Sequence, residues 1–140
     1  MKKQLLIVLA GLLLAVGSAY AQSSRLVADI PFDFIVGNKV FPSGQYEIKS
    51  IGVNGSVVQL QNTESKKSLF MTPNYCASAQ PQDESKLVFN MYGNHFYLSQ
   101  IWTEGYDQGR ELPKSSRERE EAQLQEGHHV VILASLFRAR

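Results

Sequence analysis

The sequence predicts an all-β domain, an antiparallel β-sandwich or a small open barrel with one short surface helix. Three observations predict it. Leu26, Ala28, Ile30, Phe32, Phe34 and Val36 recur with a period of two, which puts all six on one face of an extended chain. Gly37-Asn38, Asn54-Gly55 and Gly93-Asn94 interrupt runs of strand-forming residues, and such pairs supply the positive φ that tight hairpins need. The third is that a helix-start signature occurs at Ser115-Ser-Arg-Glu118, ahead of a short charged segment.

Taken in order, the chain opens with Lys2-Lys3, an apolar run over residues 5–16, and Ala19-Tyr-Ala21. A charged start, a short apolar core and an A-x-A end describe a secretory signal peptide over residues 1–21. The apolar run is shorter than the roughly 20 residues that cross a bilayer, so no stable transmembrane anchor is expected after cleavage. The mature chain is then residues 22–140, a single β domain exported to the periplasm or the extracellular space. Without the two leader lysines it carries 12 basic and 13 acidic side chains. That balance gives no basic stripe for nucleic acid and no polybasic patch for anionic lipid.

Pro31 lacks the N–H of a sheet ladder, so two short strands are expected around it, with Phe32 and Phe34 as core anchors. Burial of each ring stabilises by roughly 1.5–3 kcal/mol. Gly37-Asn38 and Pro42-Ser-Gly44 then reverse the chain twice. Asn54-Gly55 joins strands at 45–51 and 56–61; Asn54-Gly-Ser56 also matches a glycosylation acceptor, but turn chemistry accounts for it. Asn62-Thr-Glu-Ser65 is the next turn, followed by strands at 67–72 and 75–79 on either side of Pro73.

Residues 80–85 form a polar surface loop. The hairpin of residues 86–92 and 95–102 has apolar or aromatic side chains on both faces and is expected at the centre of the fold. Residues 103–113 read as a loop with a short strand near Arg110, residues 116–125 as a helix capped by Ser115, and residues 128–133 as a last strand. With Ala122 and Leu124 as its only strong hydrophobes, the helix should add little to the core.

Ile30-Pro-Phe-x-Phe-x-Val-Gly37 with Pro42-x-Gly-x-Tyr46, then Leu98-Ser-Gln-Ile-Trp102 and Gly109-Arg-Glu-Leu-Pro-x-Ser115 leading into Arg117-Glu-Arg-Glu120, resembles an uncharacterised family of short exported bacterial proteins. The resemblance covers roughly residues 29–48 and 98–120. It implies export and an all-β fold, and it assigns no catalytic residue.

No catalytic or metal-binding set is expected. Cys76 is the single cysteine, so no intramolecular disulfide forms; it is either a small buried hydrophobe or the site of an intermolecular bond. The sequence has neither a Gly-x-Ser-x-Gly elbow nor a His-Glu-x-x-His helix. His128 and His129 are adjacent, and on a strand they point to opposite faces. No glycine-rich phosphate loop precedes a helix, and no cofactor is expected.

The candidate binding surface is the loop and helix carrying Tyr106, Arg110, Glu111, Arg117 and Arg119, since aromatic and Arg side chains build binding hot spots. The competing reading is a solvated helix face of Arg/Glu pairs worth about 0.3–0.5 kcal/mol each. The function expected is a non-enzymatic interaction or structural module of the cell envelope, its partner an unknown protein or envelope component. The alternatives are a small secreted hydrolase-like enzyme, with a Cys76/His95 pair as its one formal dyad, and an outer-membrane-associated β-barrel.

Overall fold

The computed structural model describes residues 24–52 and 55–138. The signal peptide expected at 1–21, its cleavage point and the Asn54 turn lie outside the described residues. The described elements are β1 Ser24–Ile30, β2 Phe34–Val36, β3 Lys39–Phe41, β4 Gly44–Ile51, β5 Val57–Asn62, β6 Ser68–Met71, β7 Asn74–Ala77, β8 Ser85–Tyr92, β9 His95–Trp102, β10 Gln108–Glu111, α1 Ser116–Leu124 and β11 His128–Arg138. Among the described residues the strands number eleven, including the three-residue strands β2 and β3 and the short strand β10 near Arg110.

One sheet contains all of them, in the order β3-β2-β9-β8-β11-β1-β4-β5-β6. It curls into an open half-barrel, so the architecture is the open-barrel form rather than two packed sheets. The three expected hairpins form, β2 with β3, β4 with β5 and β8 with β9, each antiparallel. The free edge of β9 is shared: β2 pairs with it in parallel at Ile35↔Tyr97, and β10 pairs antiparallel at Arg110↔Ile101. β7 in turn pairs with β10. Side chains rather than ladder bonds bridge the opening. Lys67 Nζ donates to the Val40 carbonyl at 3.4 Å, and on the other side Arg110 donates to the Gly55 carbonyl.

β11 holds the two halves together. It was expected to stop at residue 133, yet residues 128–134 pair with β8 and residues 135–138 pair with β1. Val130, Ile132, Ala134 and Leu136 pack inward along it, so the period of two continues through small residues that weaken its apolar signal.

The barrel interior is the main core. Leu26, Ala28, Ile30, Phe34 and Val36 all contribute to it, on the face expected for them, and Phe32 packs against it partly buried. Phe34 is its hub, with ring centroids of Tyr46, Phe41 and Phe89 at 4.9, 5.6 and 5.6 Å. Tyr46 is buried to its ring and keeps its hydroxyl satisfied by donating to the Pro42 carbonyl at 2.6 Å. An apolar interior is the inverse of a spanning barrel, which is apolar outside and polar within. No helix among the described residues is long and apolar enough to cross a membrane.

A second, smaller cluster lies outside the sheet, where Ile35, Tyr92 and Tyr97 meet Ala122 of α1. The helix sits on the outer surface as expected, and its cap is the one expected too: the Glu118 amide donates to Ser115 Oγ at 3.2 Å. The Glu118 carboxylate, however, does not reach back to the cap. It is only 4 % exposed and accepts from Asn90 Nδ2 at 2.9 Å and Tyr92 Oη at 3.0 Å. Leu124, one of its two strong hydrophobes, is 82 % exposed. The helix is therefore docked by buried polar bonds, and two of the five side chains in its charged run, Glu118 and Glu121, face the sheet.

Candidate functional site

The open end of the barrel between β10, β7 and the start of β1 is a cup of about 300 Å³. Leu26, Ile48, Val58, Ile101 and Leu136 form its floor, and Arg25, Ser50, Tyr75, Thr103, Tyr106 and Arg110 surround it. Strand parity explains the arrangement. Ile101 is core, so its cross-strand partner Arg110 shares the interior face, and Arg110's partner on β7 is Tyr75. The Arg110 guanidinium lies 4.6 Å from the Tyr75 ring centroid while it donates to Gly55.

Backbone bonds fix the rim. Ser78 N–H donates to the Asp107 carbonyl at 2.8 Å, Gln82 N–H to Tyr106 at 3.0 Å, and Gly105 N–H to Gln82 at 2.9 Å. These zip residues 103–107 to residues 78–82. The loop expected to be a plain polar connection is thus part of the rim, and its last residue, Ser85, is buried with Oγ accepting the Glu104 amide at 2.9 Å. Tyr106 remains 56 % exposed on this pinned loop.

The five residues expected to form one surface fall in three places. Tyr106 and Arg110 meet at the cup. Glu111 is next to Arg110 on a strand and so points to the opposite face, where it accepts from Gln100 Nε2 at 3.1 Å. That outer face holds a polar groove of about 460 Å³ with Lys114, Gln125 and His129. Arg117 and Arg119 are exposed on α1, and Arg119 Nε donates to the Lys114 carbonyl at 3.3 Å. The sequence groups these residues because they are neighbours along the chain, whereas on the short strand near Arg110 adjacent side chains alternate between faces.

The residues missed are Arg25, Ser50, Tyr75 and the floor. They come from strands distant in sequence: the β7–β10 pairing, which no local motif announces, sets Tyr75 beside Arg110, and the β11–β1–β4–β5 pairings bring Arg25, Ser50 and most of the floor to the same end. Trp102 is buried: its ring covers Gly109, and its Nε1 donates to Gln100 Oε1 at 2.9 Å.

The chemistry available elsewhere is structural. Cys76 is half-buried opposite Gly109; burial and the nearby Glu111 push its thiol up against a smaller opposing effect of the Gly109 backbone, which disfavours the reactive thiolate. His95 starts β9 seven residues before Trp102, about 23 Å away at roughly 3.3 Å per residue. Since Trp102 lies over Gly109, and Gly109 is the partner of Cys76, the two do not form a dyad. His95 instead contacts Glu121. Burial would raise the Glu121 carboxyl, but the Tyr97 hydroxyl, His95 and the charge of Arg117 hold it below the ordinary range. Among the described residues no group of three His, Cys, Asp or Glu is placed to hold a metal ion.

No family model matches the chain, and no curated protein or solved structure matches it.

Proposed function

We propose that the protein is an exported, non-enzymatic interaction module of the cell envelope, and that it engages its partner at the open end of the half-barrel. The observation that carries this reading is the cup: an apolar floor with a few convergent polar groups on a rim held by backbone bonds is the form binding sites take at barrel mouths. Export rests on the leader pattern of residues 1–21 and on the resemblance of the two motif blocks. The dispersal of Cys76 and the histidines favours binding over hydrolysis.

The test is affinity capture from an envelope extract with the mature chain, wild type beside Tyr106→Ala. Tyr106 is exposed and its ring lies on the rim, so the substitution should leave the melting curve unchanged while it reduces capture. Equal capture by both chains would remove the cup from the reading. N-terminal sequencing of the exported protein should begin at Gln22; a chain that retains residues 5–16 would make it membrane-tethered.

A further inference from the structure

We infer that the cup takes a small amphiphilic anion: a single aliphatic chain bearing a carboxylate, with the carboxylate on Arg110 and the chain on the apolar floor. The inference rests on the reading of the barrel end as the binding site and names the chemistry that site selects.

The charge of the cup is one-sided. Arg25 and Arg110 line it, and no Asp or Glu does. Arg25 shares its charge with Glu47, Nη1 to Oε1 at 3.1 Å, on the outer side of β1 and β4. Arg110 is different. It is half-buried, and among the described residues no carboxylate lies within ion-pair distance of it. A guanidinium has five donors in a fixed fork, of which one is given to the Gly55 carbonyl. Its partners, the Gly55 carbonyl and the Tyr75 ring face, carry no formal charge, and a bidentate carboxylate is the group that matches the remaining fork.

The rest of the cup sets the ligand's size and tail. Beside Arg110 the wall sets Leu26, Ile48, Val58, Ile101 and Leu136, side chains with no polar atom to offer, next to the hydroxyls of Ser24, Ser50 and Thr103 and the amide of Gln108. At the roughly 30 Å³ that one water occupies in the liquid, 300 Å³ is filled by about ten heavy atoms. That is the size of one short chain with its head group. The Tyr75 and Tyr106 rings stand at the mouth, where an amphiphile passes from water to hydrocarbon.

The experiment is calorimetric titration of the mature chain with three probes of equal chain length: octanoate, octanol and octylammonium. Octanoate should bind more tightly than octanol by about tenfold or more, as a hydrogen bond to a charged group is worth, and octylammonium should bind more weakly than octanol. Arg110→Gln should bring octanoate down to the affinity of octanol. Because Arg110 also ties β10 to the β4–β5 connection, circular dichroism must show the variant folded; if it is not, the wild-type series of three probes decides alone. Equal binding of octanoate and octanol would overturn the anion selectivity and leave the cup as a binding site. No binding of any probe would overturn the amphiphile inference, while capture by wild type but not by Tyr106→Ala would still keep the cup as the interaction site.

Discussion

Glu118→Ala separates a docked helix from a solvated one. In the structure the Glu118 carboxylate is buried beneath α1 and takes two hydrogen bonds from the sheet, Asn90 Nδ2 at 2.9 Å and Tyr92 Oη at 3.0 Å. Truncation leaves both donors buried, since Asn90 is 8 % and Tyr92 4 % exposed. A buried donor without a partner costs about 1–3 kcal/mol, so the variant, which leaves two, should lose about 2–6 kcal/mol in urea melts. Glu120→Ala, two residues on and exposed, should stay within about 0.5 kcal/mol of wild type. In a Tyr92→Phe background one donor is already gone, and the cost of Glu118→Ala should fall by about 1 kcal/mol. Equal midpoints for Glu118→Ala and Glu120→Ala would mean that the helix is held by its Arg/Glu surface pairs and that its buried polar contact is worth nothing.

Other perturbations test the core, the Trp102 seat and the outer cluster. Phe34→Ala removes the ring that contacts Phe41, Tyr46 and Phe89 and should cost about 3–5 kcal/mol by the same melts. Gly109→Ala places a Cβ 2.6 Å from Trp102 Cε3, so it should destabilise by about 1–3 kcal/mol and shift the fluorescence of the single tryptophan. Burial, the hydrogen bond to Glu118, and the charges of Glu118 and Glu121 push the Tyr92 hydroxyl from 10.0 up to about 12. The fold holds the neutral phenol, so this stabilisation is complete below pH 10 and is lost as pH rises through about 12. A pH series of urea melts should show that loss, and Tyr92→Phe should reduce it.

How far the fold was legible follows the range of each signal. Period-two runs and Gly-Asn turns are local, and they located the core face of β1 and β2 and the turn of the β8–β9 hairpin. The polar turn at Asn62 was legible for the same reason: its Oδ1 accepts the Glu64 and Ser65 amides, both at 2.9 Å. What depended on pairing between distant strands was not legible. Nothing in Gln108–Glu111 says that it will lie between β7 and β9, yet that pairing sends Arg110 inward and Glu111 outward. Asp33 shows the same limit on a small scale. Its position opposite the core face suggests a dispensable side chain, but its carboxylate accepts the Ser43 amide at 2.9 Å and ties the β3–β4 turn.

The candidate site was half legible. Tyr106 and Arg110 stand out because aromatic and Arg residues in a Gly-punctuated stretch are unusual enough to notice. Arg117 and Arg119 looked equivalent to them, and only the helix phase, with Glu118 turned to the sheet, leaves them on the solvent side. The absence of acids around Arg110 is a property of the assembled cup, since Glu111 is its immediate neighbour in sequence.

The most direct test of the barrel end as the binding site is a titration of the labelled mature chain with octanoate, followed by amide chemical shifts. Shifts should concentrate at Val58, Tyr75, Ile101, Tyr106 and Arg110 and saturate together. Shifts concentrated instead around Gln100, Glu111, Lys114 and His129, in the outer groove beside α1, would contradict the account.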